Sequence, residues 1–212
     1  MRVIVAPIVL AFPVQIPRGF VPLDLDADGT DLNHAGRPCP GYEPPYQPRW
    51  GGGFLAPRGP RKLAHRALDI MAAEGALVVA PTACSVREVA LTPKGGHCLY
   101  LVDAAGWTWY MAHLASAPLV AEGAELEAGA LVGYVGRTGN ASYHVRRGRR
   151  GCPHLHVSLT RPAGSTLPVR VKRLLRLLAS DEETGEKLRV SGEKVDLQPL
   201  LAGLYHAGGW RR

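Results

Sequence analysis

At 212 residues the chain is long enough for one substantial domain with extensions, and 46% hydrophobic content excludes a globally disordered polypeptide. Gly (25) and Pro (18) are abundant, which favours many turns and short strands over long helices. A net charge of +7 favours an anionic partner such as nucleic acid, a membrane surface or an acidic cell wall, without choosing among them.

In chain order, Arg2 to Phe12 (RVIVAPIVLAF) reads either as a weak export-signal start or as a first strand, since Pro7 and Pro13 interrupt it and no small-x-small cleavage site follows. Residues 1–50 form an irregular arm. It carries an acidic loop, Asp24-Leu-Asp26-Ala-Asp28-Gly29, then a Pro-rich run from Pro38 to Pro48. The acidic loop matches the start of an EF-hand calcium loop, but the closing Glu is absent and Ala35 stands in its place. A weak Ca2+ site or a solvated acidic turn both fit. The arm could also lie over a groove as an inhibitory segment, although His34 is its only histidine.

From 51 to 161 the text changes to short apolar runs punctuated by Gly and Pro. Ala76–Pro81, Ser85–Leu91, Leu99–Val102, Trp107–Leu114 and Leu131–Val135 read as strands. Pro93–Gly96 and Asp103–Gly106 read as turns between them. The segment is a mostly-β core. Residues 162–212 form an extension, in which 169–178 (VRVKRLLRLL) places Val171, Leu174, Leu175 and Leu178 on one helical face. Residues 181–194 read as an exposed turn or hairpin, and Val195–Leu201 as a closing segment. No stretch reaches the roughly 18 apolar residues of a spanning helix, so stable membrane insertion is not expected. A monomer is favoured.

Four cysteines, Cys39, Cys84, Cys98 and Cys152, show no C-x-x-C spacing, which argues against a zinc ribbon. They fit either two disulfides of undetermined pairing or four free thiols.

Four of the eight histidines sit in three short contexts that carry chemistry. In His65-Arg-Ala-Leu-Asp69, an extended backbone brings alternate side chains to one face, so an imidazole and a carboxylate converge on one ion. In Pro153-His154-Leu-His156, two histidines spaced i and i+2 on a strand face the same side. His65, Asp69 and one of these two histidines would supply three protein ligands with an open fourth position, the arrangement of a catalytic zinc site, and the other histidine would stand beside the metal. The third context is Tyr110-Met-Ala-His113-Leu114. By strand parity, Trp107, Trp109, Met111 and His113 share a face. Each motif alone also fits an ordinary surface or core histidine.

The order H-x-x-x-D, A-H-L, H-x-H resembles the lysostaphin/LytM-type zinc metallopeptidases, whose fold is the duplicated hybrid motif. Asp69-Ile-Met-Ala-Ala-Glu-Gly-Ala-Leu-Val-Val-Ala-Pro81 and Val120 to Gly136 resemble that family's connecting segments, with Thr138-Gly139 following in family order. The resemblance implies a compact antiparallel, barrel-like β-domain with a groove over Zn2+. It implies His65, Asp69 and His156 as metal ligands, and His113 and His154 as catalytic histidines. The implied activity is endopeptidase cleavage of peptidoglycan stems or cross-bridges, outside the cytoplasm in the periplasm, envelope or medium. Departures from the family pattern are Ala67 where Gly is common, Met111 where Tyr often precedes A-H-L, and a basic insertion at 144–152. The alternatives are a non-catalytic envelope protein that binds wall or regulates a hydrolase, and a carrier-type barrel, which would need a modified Lys or His rather than these motifs. A nucleic-acid binder has no recognised motif to support it.

Overall fold

The structure, a computed structural model, describes residues 11–22, 39–41, 46–58, 63–142, 151–162, 190–191, 194–195, 197 and 201. The acidic loop, the basic insertion at 144–150 and the helix expected over 169–178 lie outside the described residues.

Among the described residues, fourteen strands follow in chain order: β1 (Val14–Gln15), β2 (Arg49–Trp50), β3 (Pro57–Arg58), β4 (Leu63–Ala64), β5 (Leu68–Met71), β6 (Leu77–Val79) and β7 (Cys84–Thr92). They continue with β8 (Gly96–Asp103), β9 (Thr108–Leu114), β10 (Glu125–Leu126), β11 (Leu131–Tyr134), β12 (His154–Thr160), β13 (Val190–Ser191) and β14 (Lys194–Val195). The five expected strands are all present, with β7 and β8 longer than their apolar text. The pairings are antiparallel throughout.

The main sheet runs β10-β7-β8-β9-β12-β14-β13, with β5 pairing β12 and β2 pairing β5. The close turns explain the β7–β8–β9 meander. Residues 93–95 form the first turn. In the second, Asp103 Oδ1 accepts from the Ala105 and Trp107 amides at 2.9 and 3.0 Å, a side-chain-closed turn. A smaller sheet, β1-β6-β11, carries the start of the described chain. The segment expected as a first strand or export signal lies, up to residue 10, outside the described residues; a short strand, Val14–Gln15, follows it.

Alternation along these strands puts one set of side chains inside. Leu68, Ile70, Leu99, Leu101, Met111, Leu155 and Val157 are fully buried in one cluster with Val14, Val78, Leu197 and Leu201. Each such aliphatic side chain contributes about 1.5–3 kcal/mol relative to exposure. Leu197 and Leu201 of the closing segment lie in this cluster, and the antiparallel pair β13–β14 docks on β12 at Leu159 and Thr160; most of 181–194 lies outside the described residues. No helix among the described residues is long and apolar enough to cross a membrane.

Of the cysteines, Cys39 and Cys152 form a disulfide, while Cys84 and Cys98 are buried free thiols. The cysteine count therefore resolves into one bridge, because only this pair is brought together. Burial, aided by Asp103 and Glu125, pushes the Cys84 thiol up to about 11.

Candidate metal and catalytic site

β12 lies between β9 and β5, and this placement assembles the site. Register sets His156 opposite Asp69 on β5 and opposite Ala112 on β9. Directly opposed residues project to the same face, so the His156 imidazole and the Asp69 carboxylate meet without further device. His156 Nδ1 stands 2.9 Å from Asp69 Oδ1.

His65 arrives from the loop before β5. Its amide donates to Ala56 O at 2.9 Å, and its carbonyl accepts from the Leu55 amide at 2.6 Å. Its Nδ1–H donates to the Gly53 carbonyl at 3.1 Å, because a carbonyl can only accept. That bond turns Nε2 toward the cluster, 3.2 Å from both Asp69 Oδ1 and His156 Nδ1. The Gly51–Gly53 run approaches the site closely. The Gly51 amide donates to Asp69 O and the Asp69 amide to Gly52 O, and a Cβ on Gly51 would meet Asp69 Cβ and the Met71 sulfur.

One donor atom from each of His65, Asp69 and His156 lies within 4.8 Å of the others. Ligands arranged tetrahedrally at zinc distances stand about 3.3 Å apart, so separations of 2.9 to 3.2 Å fit such an ion. The donor chemistry fits as well: two imidazole nitrogens, one oriented by a carbonyl behind it, and one buried carboxylate. Burial acts to raise the Asp69 carboxyl, but hydrogen bonds from His156 and His65 and the nearby His154 hold it far below the usual carboxylate range. His65 and Asp69 are buried, whereas His156 and His154 keep 24% and 17% of their side chains exposed. The site therefore opens to solvent on the β12 side.

His154 and His113 complete the cluster. The His154 Nδ1–H donates to Cys152 O at 2.9 Å, and its Nε2 lies 3.9 Å from Asp69 Oδ1. The His113 Nδ1–H donates to Thr138 O, also at 2.9 Å. The two rings are 4.8 Å apart, and His113 is 5.7 Å from the His156 ring. Both imidazoles thus present Nε2 rather than Nδ1 for further chemistry. Burial and the neighbouring His154 pull His113 down to about 4, against the Thr138 carbonyl, so it is neutral at neutral pH.

Strand parity misplaces His113. It groups this residue with Trp109 and Met111, which do lie in the core. Instead His113 adopts a positive φ of 66°, and the β8–β9 register shifts between His97 and Leu99. The backbone turns over there and delivers the ring to His154 and His156. A non-glycine residue in this region costs about 1–3 kcal/mol. The conformation is retained by the His113 amide on Gly95 O at 2.8 Å and by the ring's bond to Thr138. Met111 goes to the core, and Tyr110 takes the site face, 6.0 Å from the His156 ring.

Residues to which motif reading gave no site role hold these rings. Thr138 Oγ1 donates to Leu114 O at 2.7 Å and accepts from the His97 amide at 3.0 Å, while its carbonyl carries His113. Gly96 (φ +65°) and Gly139 (φ +67°) let the two backbones touch here, and a Cβ on Gly96 would run into Thr138 and Gly139. Gly96→Ala is therefore expected to cost about 2–3 kcal/mol from strain and overpacking. Thermal unfolding should show a Tm lower by roughly 5–10 °C. A Tm within a degree of the parent would mean the contact relaxes freely.

A model of peptidase family M23 matches residues 63–168, half of the chain. Among curated proteins none matches. Of solved structures, the catalytic domain of the antimicrobial peptidase lysostaphin from Staphylococcus simulans is 21% identical, with a TM-score of 0.50, over 73% of this chain and 92% of that one. A lytM protein from Ruminococcus gnavus, provisionally assigned as a glycyl-glycine endopeptidase, is 22% identical with a TM-score of 0.53, over 94% and 62%. Lysostaphin in longer form is 26% identical with a TM-score of 0.44 over 55% of this chain, which spans 44% of its length. At these identities the likeness concerns the fold, and the fold is the antiparallel β-architecture expected from the motifs. With motif order, site geometry and family match in agreement, the chain belongs to peptidase family M23, the lysostaphin/LytM-type peptidases.

Proposed function

We propose that the protein is a zinc-dependent endopeptidase that hydrolyses peptide bonds in peptidoglycan stems or cross-bridges. The observation that carries this reading is the convergence of His65, Asp69 and His156 donors within 4.8 Å, with two further imidazoles beside them. His65, Asp69 and His156 would hold the ion. Bound zinc supplies an acidified water and a Lewis acid for the scissile carbonyl. His113 and His154 keep their Nδ1–H groups on Thr138 and Cys152 carbonyls, which aims each Nε2 at the reacting peptide. As water adds to the carbonyl carbon, an Nε2 takes up the proton. That Nε2–H then stabilises the developing oxyanion and returns its proton to the leaving amine as the C–N bond breaks.

The net charge of +7 suits an acidic wall polymer as partner. The Cys39–Cys152 disulfide suits an oxidising compartment outside the cytoplasm. The likeness to lysostaphin, an antimicrobial peptidase, is consistent with wall cleavage.

The test pairs zinc content with release of new amino termini from purified sacculi, for the parent and for His113→Ala. Both proteins should hold one zinc per chain. The variant should lose activity by about 10²–10⁴-fold, the usual contribution of a positioned acid–base group. Turnover unchanged in His113→Ala would refute its role. Neither zinc nor cleavage in the parent would refute the peptidase reading.

A further inference from the structure

The carbonyls of Thr138 and Cys152, which orient His113 and His154, sit on two separate segments. One buried side chain ties those segments together. Arg137 immediately precedes Thr138 and is only 6% exposed. Its Nη1 donates to the carbonyl of Gly151, the residue before Cys152, at 3.2 Å. Its Nε donates to Glu74 Oε2 at 2.7 Å. Glu74 is itself anchored, because the next residue, Gly75, bonds through its amide to Val135 O at 2.8 Å.

We propose that Arg137, aimed by Glu74, is a positioning residue for hydrolysis: it fixes the spacing of His113 and His154 through the two peptide segments that hold their Nδ1 atoms. The proposal rests on the catalytic reading of those two histidines. The guanidinium suits the task because its planar fork directs several N–H groups along fixed lines, so one group faces Glu74 while another faces Gly151. A lysine ammonium keeps the charge but not the fork. Small displacements of reacting groups are costly in rate, so the carbonyl that carries each imidazole must itself be held.

The informative variants are Arg137→Lys and Glu74→Gln, which preserve bulk and avoid an empty buried pocket. Each is compared with the parent for zinc content, Tm, and kcat and KM on soluble cross-linked muropeptides. Imidazole ¹⁵N spectra of the zinc-loaded protein report the Nδ1–H groups of His113 and His154. Arg137→Lys should keep its zinc and its KM, while kcat falls by about tenfold or more. Its Nδ1–H signals should exchange faster with solvent than in the parent. Glu74→Gln should move both readouts the same way by less. Parent-like kcat with parent-like Nδ1–H signals would overturn the proposal. A lower Tm with unchanged kcat per folded molecule would also overturn it, since that marks a purely structural pair. If His113→Ala or the parent itself shows the catalytic reading to be wrong, the Nδ1–H exchange still decides whether Arg137 holds the two imidazoles.

Discussion

Asp69→Ala is expected to abolish both zinc retention and peptidase activity, with activity falling by at least about 10³-fold. The carboxylate is buried and lies within 3.2 Å of His65 Nε2 and 2.9 Å of His156 Nδ1. Without it, two of the three proposed ligands remain and the charge that would balance a divalent cation is lost. Asp69→Asn preserves shape but not charge, so it should recover folding without recovering affinity. Zinc content by atomic emission after dialysis, together with sacculus digestion, checks both. One zinc per chain in Asp69→Ala would remove Asp69 from the ligand set. The expectation differs from that for His113→Ala, which spares the metal, and the pair of variants separates holding the ion from moving the proton.

Breaking the Cys39–Cys152 bridge is expected to have the largest effect on stability. It spans 113 residues of sequence. Closing so long a loop is worth about 3–5 kcal/mol in the chain-entropy account. Cys39→Ser with Cys152→Ser should therefore lower Tm by roughly 10 °C. Activity should fall as well, because the Cys152 carbonyl orients His154. The arm is bound to the core here by more than the bridge: Cys39 is buried against Ala73, and Gly41 sits so close to Ala72 that a Cβ would come within 2.8 Å of its Cα. Reductant should reproduce the double variant's loss in the parent and leave the variant unchanged. Equal Tm for parent and variant would mean the arm is held by packing alone.

Much of the fold was legible because its cues are local. Alternating apolar runs marked the strands, and Gly- and Asp-bearing turns marked the β7–β8–β9 meander, since period-2 burial and turn chemistry act within a few residues. The site residues were legible for a related reason. His154 and His156 share a strand face by spacing alone, and spacing also allows His65 and Asp69 to converge. Their common meeting point was not readable from spacing. It depends on β12 lying between β5 and β9, which sets Asp69 opposite His156.

His113 shows where local rules stop. Parity assigned it to the tryptophan face, and a single positive φ moved it to the histidine cluster. That strain is stabilised by bonds to Gly95 and Thr138, and Thr138 is distant in sequence. The same holds for the disulfide pairing, for the carbonyls of Gly53 and Thr138 behind two of the imidazoles, and for Arg137 between Glu74 and Gly151, whereas the Cys152 carbonyl behind His154 is a local partner two residues away. The sequence by itself determined the strand-rich architecture, the family and the five side chains that carry the proposed chemistry. Only the tertiary structure decided how those side chains are aimed. Apart from the local bond of His154 to Cys152, orientation comes from hydrogen bonds and one covalent bridge between segments separated in the chain, and no periodicity or motif encodes them.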